Sequence, residues 1–250
     1  MKNEQKILNY IKEKEFAEVS ELSKTFGASE STIRRKLSAL EKKGLIKRTH
    51  GGANIVDTVN STFNFTLRIH KNAFEKRMIA LRALKLIKEG DVIFLDCSTT
   101  TYFLAEYLNE FKNVKVITNS IDTLNCLAKK NVQAISTGGT VSKENNSALI
   151  GNAVIDFIRK FNANVCFFSC QSLSRDGTIS DCYLDENYIR AAMIERSEKS
   201  VFLCDSTKAD KSSPYVLCNA KNIDVIVADK ALDDYLDESV RDKITVDAVN

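Results

Sequence analysis

Six short apolar runs, separated by segments of helical periodicity, constrain the fold of most of this 250-residue chain. They are VIFLD (92–96), VKVITN (114–119), VQAISTGG (132–139), NVCFFSC (164–170), SVFLCD (200–205) and DVIVAD (224–229). Near-continuous Val, Ile, Leu and Phe runs are typical of strands buried on both faces, with amphipathic helices as the covering layers. The sequence therefore predicts an α/β domain with a mostly parallel sheet.

Polar residues follow four of these runs, where parallel strands have their carboxyl ends. Ligands of such sheets bind outside these ends, and hydroxyls, glycines and lysines there suit an anion such as phosphate. Each residue could instead cap a helix or form a turn, but their recurrence at one edge favours a ligand pocket. The positions are Asp96, Ser98, Thr99, Thr100, Thr118, Asn119, Gly138, Gly139 and Lys208.

The first 56 residues have a different pattern, with helices expected over 3–14, 19–26 and 29–44. Gly27 ends the second helix, and Ser29 caps the third almost immediately afterwards. Two helices joined by a short turn that contains glycine form a helix-turn-helix. The run LIKRTHGGANIV then predicts two short strands with a basic tip, as in the wing of a winged helix.

Short hydroxyl and long basic side chains lie on the outer faces of the third predicted helix and in the wing. In a helix-turn-helix the corresponding residues reach base edges and phosphates in the major groove. A solvated helix face would explain each residue alone, whereas their combination with the glycine turn and the wing favours binding to double-stranded DNA. These candidates are Ser29, Ser31, Thr32, Arg34, Arg35, Lys36, Lys47, Arg48 and His50.

Charge and cysteine content agree with this division. Residues 1–56 carry 12 Lys and Arg against 7 Asp and Glu, whereas the remainder carries 24 against 26. The seven cysteines include no C-x-x-C pair, which indicates free thiols in a reducing compartment and neither a disulfide framework nor a zinc site. We expect a cytoplasmic protein with no signal peptide, membrane span, metal or cofactor.

The chain resembles the DeoR family of bacterial transcriptional regulators over nearly its whole length. The resemblance rests on VSELSKTFGASESTIRRKLSALEKKGLIKRTHGGA, followed in order by GDVIFLDCSTTT, VITNS, the glycine pair, SALIG and DSTK. It implies a winged helix-turn-helix (1–56), a linker (57–72), and a sensor and oligomerisation domain (73–250) similar to ribose-5-phosphate isomerase. It also implies a phosphorylated sugar effector, contacted by the residues at the sheet edge and by Lys143, and a homo-oligomer.

Several residues depart from the family pattern. Ser98 replaces the glycine of D-x-G-T-T, and Lys36 replaces the aspartate of R-R-D-L. Ser169 and Cys170 occupy a turn that often has glycine, and Asn164 stands where aspartate is common. Ser98 adds a side chain where close backbone approach is expected, and therefore bears on whether an effector binds.

Three functions are compatible with the sequence. The first is a repressor of a sugar or nucleoside operon that a phosphorylated sugar releases from its operator. The second is a sugar-phosphate isomerase, for which Asp96, Asp205 and Lys208 are the only evident acid–base candidates. The third is a DNA-binding regulator whose second domain only oligomerises. The absence of a catalytic pair at a clear spacing favours the first.

Overall fold

A computed structural model describes residues 2–14, 16–42, 46–49, 51–55, 65–232, 234–241 and 246–248. Contacts divide the chain into two compact units, Met1–Lys71 and Asn72–Asn250, which are described separately. His50, Gly44 and Val56 lie outside the described residues, as do residues 57–64 of the predicted linker.

The first unit is a winged helix. Its elements are α1 (Lys2–Lys14), β1 (Phe16–Glu18), α2 (Val19–Phe26), α3 (Glu30–Lys42), β2 (Ile46–Thr49), β3 (Gly52–Ile55) and α4 (Phe65–His70). The three predicted helices and the two wing strands are confirmed, and β1 adds an unpredicted third strand on the other side of β3. Apolar side chains spaced three or four residues apart on the helices form the core, namely Ile7, Ile11, Leu22, Ile33, Leu37 and Leu40.

Two glycines are required by the backbone of this unit, one in a turn and one at a close contact between strands. Gly27 adopts the left-handed conformation (φ 58°) predicted for the end of α2, and its N–H donates to the Ser23 carbonyl. At the wing tip, a Cβ on Gly52 would lie 2.6 Å from the carbonyl oxygen of Ala17. The wing can therefore approach β1 closely only because this position has no side chain.

Residues 65–70, which lie within the linker predicted for 57–72, form the short helix α4. Phe65 is buried, and the His70 ring stacks on that of Phe16 with 4.3 Å between centroids. The polar run before Phe65 obscures the helix in the sequence, because six residues are too few to show helical periodicity.

The second unit contains a seven-stranded, fully parallel sheet. Its strands are β4 (Val92–Leu95), β5 (Lys115–Thr118), β6 (Gln133–Ser136), β9 (Val165–Phe168), β12 (Ser200–Cys204), β14 (Val225–Ala228) and the unpredicted β15 (Val246–Ala248). Their order in the sheet is β15-β14-β12-β9-β4-β5-β6. All six predicted runs are strands of this sheet, which confirms the predicted fold class.

Helices and two small antiparallel sheets complete this unit. The helix predicted over 73–88 is shorter than expected, because its last turn tightens into a 3-10 turn over Leu84–Leu86. The helices are α5 (Ala73–Ala83), α6 (Thr99–Ala105), α7 (Ile121–Lys129), α8 (Asn152–Ile158), α9 (Leu184–Glu195) and α10 (Glu238–Arg241). The hairpin pairs β7 (Thr140–Val141) with β8 (Leu149–Ile150), and the second sheet has the order β10 (Ser172–Leu173), β11 (Thr178–Asp181) and β13 (Tyr215–Asn219).

The described part of the chain contains no helix long and apolar enough to cross a membrane. Within the same residues, no group of three His, Cys, Asp or Glu side chains could hold a metal ion. All seven cysteines are free thiols.

Candidate functional sites

The outer face of α3 carries the residues predicted to read DNA. Ile33, Leu37 and Leu40 are buried on the inner face, and the exposed Ser31, Arg34 and Arg35 point away from them. The Ser29 hydroxyl accepts a 3.4 Å hydrogen bond from the Thr32 N–H and so caps the helix, while Lys36 lies half-buried at the side of the outer face. The helix thus presents two guanidinium groups and several hydroxyls to solvent on one side.

The wing is tied to the same helix. The Arg48 N–H donates to the Glu41 carboxylate at 2.8 Å, and the Arg48 guanidinium donates to the Ser38 hydroxyl. Lys47 is exposed on the wing strand β2. The structure therefore brings Arg48 to α3, and it adds Ser38, which sequence reasoning missed, to the outer face of that helix.

The sheet of the second unit has one switch point, between β4 and β9. From β4 the chain continues to β5 and β6 on one side, and from β9 to β12 and β14 on the other. Parallel sheets bind ligands in the crevice at the carboxyl ends of the two strands that flank such a point. Asp96 directly follows β4 and Ser169 directly follows β9, and the Ser169 N–H donates to Asp96 Oδ2 at 3.3 Å.

Asp96 is fully engaged in hydrogen bonds. Its Oδ1 accepts from the Ser98 N–H (3.1 Å) and the Thr101 hydroxyl (3.0 Å), and its Oδ2 also accepts from Arg190 Nε (2.8 Å). The side chain is 1% exposed. The structure therefore places Asp96 beneath the sheet edge, where it positions the loop that begins α6.

Arg190 is the centre of a buried charged cluster. The guanidinium is 2% exposed and pairs with Asp96 (2.8 Å), Asp181 (3.1 Å) and Glu186 (2.8 Å). Burial alone would lower the pKa of Arg190, but the surrounding carboxylates, above all Asp181, raise it well above its ordinary value. Arg190 is therefore permanently charged and joins α9 and β11 to the end of β4.

Two amides complete this cluster. Asn145 Nδ2 donates to Glu186 Oε1 at 2.8 Å, and Asn187 Oδ1 accepts from Arg190 Nη1 at 3.1 Å. Asn145 belongs to the loop between β7 and β8, and its Nδ2 also lies 3.8 Å from the Cys97 sulfur. The cluster thereby holds this loop against the start of α6.

Ser98 adopts an ordinary extended conformation (φ −78°, ψ 154°), so the backbone here does not require glycine. Its hydroxyl accepts a 3.3 Å hydrogen bond from the Thr101 N–H and lies 3.0 Å from the Thr101 hydroxyl. The side chain that departs from the family pattern is thus turned to the helix end, where it acts as the N-cap of α6.

Two buried oxygens at this edge have no hydrogen-bond partner among the described residues, namely Thr100 Oγ1 and Asn119 Oδ1. Asn119 is oriented by its Nδ2, which donates to the Leu149 carbonyl at 3.1 Å, and the neighbouring Thr118 hydroxyl accepts from the Ser120 N–H at 3.1 Å. A buried polar atom without a partner costs about 1–3 kcal/mol. A hydroxyl-rich ligand is one means of recovering that cost.

Lys208 reaches the switch point from β12. Its Nζ donates to the Ser169 hydroxyl at 2.6 Å and lies 3.5 Å from Asp205 Oδ2. Burial raises the pKa of Asp205, but Lys208 and hydrogen bonds from Thr207 and Asn72 outweigh it, so that the pKa is below its ordinary value. An ionised Asp205 therefore holds a half-buried lysine beside the crevice.

The remaining predicted residues are less closely joined to this edge. Gly139 (φ 110°) follows β6, and a Cβ there would lie 2.3 Å from Val154 Cγ2 and 2.8 Å from the Ile150 carbonyl oxygen. Gly138 (φ 66°) is exposed beside it, and its N–H donates to the Ser136 hydroxyl. Thr99 is buried in the first turn of α6. Lys143 is exposed on the loop that carries Asn145.

Sequence reasoning missed the residues that organise the edge, namely Arg190, Asp181, Glu186, Asn145, Asn187, Asn72 and Ser169. A signal existed for Arg190, because the surrounding stretch YIRAAMIE is apolar on both sides of it. An arginine within such a stretch is expected to be buried and paired. Which carboxylates pair with it depends on β11 and β4, which are distant in the chain.

Two family models match the chain. The DeoR-like helix-turn-helix domain matches residues 4–59, and the DeoR C-terminal sensor domain matches residues 71–230.

Relatives match over almost their whole length. An HTH-type transcriptional regulator GolR of Listeria innocua is 33% identical, covering 95% of this chain and 93% of the relative. The L-fucose operon activator of Haemophilus influenzae is 36% identical, covering 92% of each chain. The transcriptional repressor AccR of Agrobacterium fabrum is 31% identical, covering 96% of this chain and 95% of the relative.

Among solved structures, ribose 5-phosphate isomerase A of Methanocaldococcus jannaschii is 15% identical with a TM-score of 0.42, covering 55% of this chain and 54% of that chain. The two family models and the full-length relatives confirm the resemblance found in the sequence: the chain belongs to the DeoR family of DNA-binding transcriptional regulators.

Proposed function

We propose that this chain is a cytoplasmic repressor of a sugar or nucleoside operon that leaves its operator when a phosphorylated sugar binds the second unit. One observation carries the effector part. The sheet edge around the switch point combines a half-buried lysine, Lys208, with the buried oxygens of Thr100 and Asn119, which have no hydrogen-bond partner among the described residues. A lysine suits phosphate, and these oxygens suit sugar hydroxyls.

The dimensions of the edge agree with such a ligand. The carboxyl ends of β12 and β5 are three strand spacings apart, about 14 Å. Lys208 shortens this span, since its Nζ reaches Ser169 at the end of the intervening strand β9. A phosphate at Lys208 and a sugar near Thr100 and Asn119 would therefore fill the crevice from one side to the other.

The proposed direction of regulation, repression, follows one of the reported relatives and differs from another. The Agrobacterium relative is a repressor, whereas the Haemophilus relative is an activator of a fucose operon. Release by an effector requires that the effector binds the DNA-free arrangement more tightly than the DNA-bound one. Allosteric coupling of this kind is typically about 1–3 kcal/mol, or roughly 5- to 150-fold in affinity.

The two carboxylates at this edge, Asp96 and Asp205, do not suit acid–base catalysis. A general base should have a pKa near the working pH, whereas the pKa of Asp205 is lowered from an already acidic value. Asp96 is fully hydrogen-bonded and 1% exposed. The environments of Asp96 and Asp205 therefore suit a structural role in the site better than proton exchange with a substrate.

The test is a titration of the operator complex with sugar phosphates. The full chain is bound to DNA from its own upstream region, and a panel of pentose, hexose and deoxyribose phosphates is added. We expect at least one of them to weaken DNA binding tenfold or more and to raise the unfolding temperature of the free protein. If none does either, the sensing role is wrong; if one is isomerised, the enzyme alternative is correct.

A substitution on α3 tests the DNA-binding surface. We expect Arg35→Ala to weaken operator binding by about 1–3 kcal/mol, or roughly 5- to 150-fold, because an exposed guanidinium on the outer face would contact a base or a phosphate. Fluorescence anisotropy at several salt concentrations measures this loss, and a phosphate contact also lowers the salt slope by about one. Arg159→Ala removes an exposed arginine directly after α8 and serves as the matched control. Equal affinities of the two variants would contradict the assignment.

Effector binding by a Ser98 variant tests whether the second unit is a sensor or only an oligomerisation domain. Because glycine is nearly as good an N-cap as serine, Ser98→Gly should change the free energy of unfolding by only a few tenths of a kcal/mol. We expect its effector affinity to stay within about threefold of the parent, since the Ser98 hydroxyl is already turned to Thr101. Calorimetric titration with the active sugar phosphate measures it. A large gain in affinity would mean that the serine side chain obstructs the pocket.

A further inference from the structure

Glu41 is an acid at a place where two electrostatic influences disfavour a negative charge. It lies in the last turn of α3, and the carboxyl end of a helix carries a partial negative charge of its own. It also continues the outer face of α3, since Arg34, Ser38 and Glu41 follow one another at spacings of four and three residues. DNA is a polyanion, so a carboxylate on this face weakens DNA binding by its charge alone. A compensating contact is therefore expected.

The compensating contact is with the wing strand β2. In the sheet order β1-β3-β2 this strand lies at the edge, so the N–H groups on its outer side have no partner among the described strands. Glu41 Oε1 accepts one of them, the Arg48 N–H, at 2.8 Å. The carboxylate thus joins the wing backbone to α3.

The Arg48 side chain adds to the same connection. Because side chains alternate along a strand, Arg48 shares a face of β2 with the buried Ile46, and the exposed Lys47 lies on the opposite face. The Arg48 guanidinium donates to the Ser38 hydroxyl, and its Nη1 lies 4.0 Å from Glu41 Oε2. We call Ser38, Glu41 and Arg48 the wing tie. It holds both the backbone and the side chain of one wing residue.

We propose that Glu41 is a positioning residue for DNA binding, whose carboxylate fixes the wing against α3 so that both contact the same DNA. The cations that meet DNA are then Arg34 and Arg35 on α3 and Lys47 on the wing, and Arg48 acts through the wing tie. Two groups of cations held on one surface lose less conformational freedom on binding than groups that must first be ordered. The proposal rests on DNA binding alone and requires no effector.

The sign of the effect distinguishes a positioning carboxylate from an ordinary surface acid. The full chain, without effector, is titrated onto DNA from its own upstream region, and fluorescence anisotropy is recorded at several salt concentrations. We expect Glu41→Ala to weaken binding about tenfold, the contribution of one polar contact, although it removes a negative charge. The salt slope should fall by about one, because an untied wing loses the phosphate contact of Lys47.

Two further variants are controls for charge. Glu41→Gln keeps an acceptor oxygen for the Arg48 N–H and should bind DNA at least as tightly as the parent. Glu30→Ala removes an exposed acid from the same helix, where Glu30 Oε2 lies 3.2 Å from Arg34 Nη2. Its affinity should equal that of the parent or rise by up to roughly threefold, because a weak surface pair no longer occupies the arginine.

Hydrogen exchange of the Arg48 amide measures the wing tie itself, in the absence of DNA. We expect about tenfold faster exchange in Glu41→Ala and parental exchange in Glu41→Gln and Glu30→Ala. The amide of Leu37, a core residue of α3, should exchange as in the parent in all three variants, which shows that the unit remains folded.

Three results would each overturn the proposal. The first is Glu41→Ala binding DNA as tightly as the parent or more tightly. The second is a loss of affinity in Glu41→Gln or Glu30→Ala as large as that in Glu41→Ala. The third is parental exchange of the Arg48 amide in Glu41→Ala. Because no sugar phosphate is present in these measurements, failure of the effector titration does not affect them.

Discussion

Arg190→Met should lower the free energy of unfolding of the second unit by about 3–5 kcal/mol. Methionine replaces the aliphatic part of the side chain but leaves Asp96, Asp181 and Glu186 buried without their cation. Removing one partner of a buried ion pair has a cost of this size, because the remaining charge is neither solvated nor neutralised. For a unit of this length, the unfolding temperature should fall by roughly 10 °C.

Calorimetric and chemical unfolding of the full chain measure this effect. A fluorescence probe in each unit follows the unfolding of that unit separately. Arg159→Met is the control. Arg159 is exposed, and its Nη2 lies 3.9 Å from Glu195 Oε2. Such surface ion pairs contribute less than about 1 kcal/mol to the free energy of unfolding. Arg190→Lys should lie between the two, since it keeps the charge but not the fork of donors. A loss below 1 kcal/mol for Arg190→Met would show that the cluster is not the support of this edge.

The fold could be predicted because its signals are local. The apolar runs that form β4, β5, β6, β9, β12 and β14 can be read from the sequence, since buried parallel strands need no polar face. The two-residue strands β7, β8 and β10 could not, because they are too short to show a period. The helix α4 was assigned to a linker for the same reason.

The candidate site could be predicted only in part, for a different physical reason. Residues directly after a strand, such as Asp96 after β4 and Asp205 after β12, are placed at the sheet edge by the strand itself. Arg190 instead reaches Asp96 across 94 positions of sequence. Strand order decides that contact, and the position of β9 between β4 and β12 has no local signal. The sequence therefore predicts a candidate ligand site at this edge, but it does not predict how Asp96 is held.

Lys208→Met should weaken binding of the active sugar phosphate about 10- to 100-fold, while operator affinity without effector stays unchanged. A hydrogen bond between a charged lysine and phosphate contributes about 1.5–3 kcal/mol, which is the size of the expected loss. Calorimetric titration at neutral pH measures it. Lys112→Met, which removes an exposed lysine before β5, is the control and should bind like the parent. Equal binding by Lys208→Met would exclude this lysine as the phosphate contact.

The same variant should change the pH dependence of stability, through Asp205. Burial acts to raise the pKa of this carboxyl, and Lys208 is the largest of the opposing influences that lower it. Because the folded pKa lies below the unfolded value of about 3.9, the ionised carboxylate stabilises the fold above that pH, and the gain is lost as pH falls through the folded pKa. In Lys208→Met the pKa of Asp205 in the folded state rises, and the stabilisation by its ionised carboxylate becomes smaller. The difference in free energy of unfolding between parent and variant should therefore be constant above about pH 5 and narrow below about pH 4. A difference that stays constant down to pH 2 would mean that Lys208 supports the edge by packing rather than by its charge on Asp205.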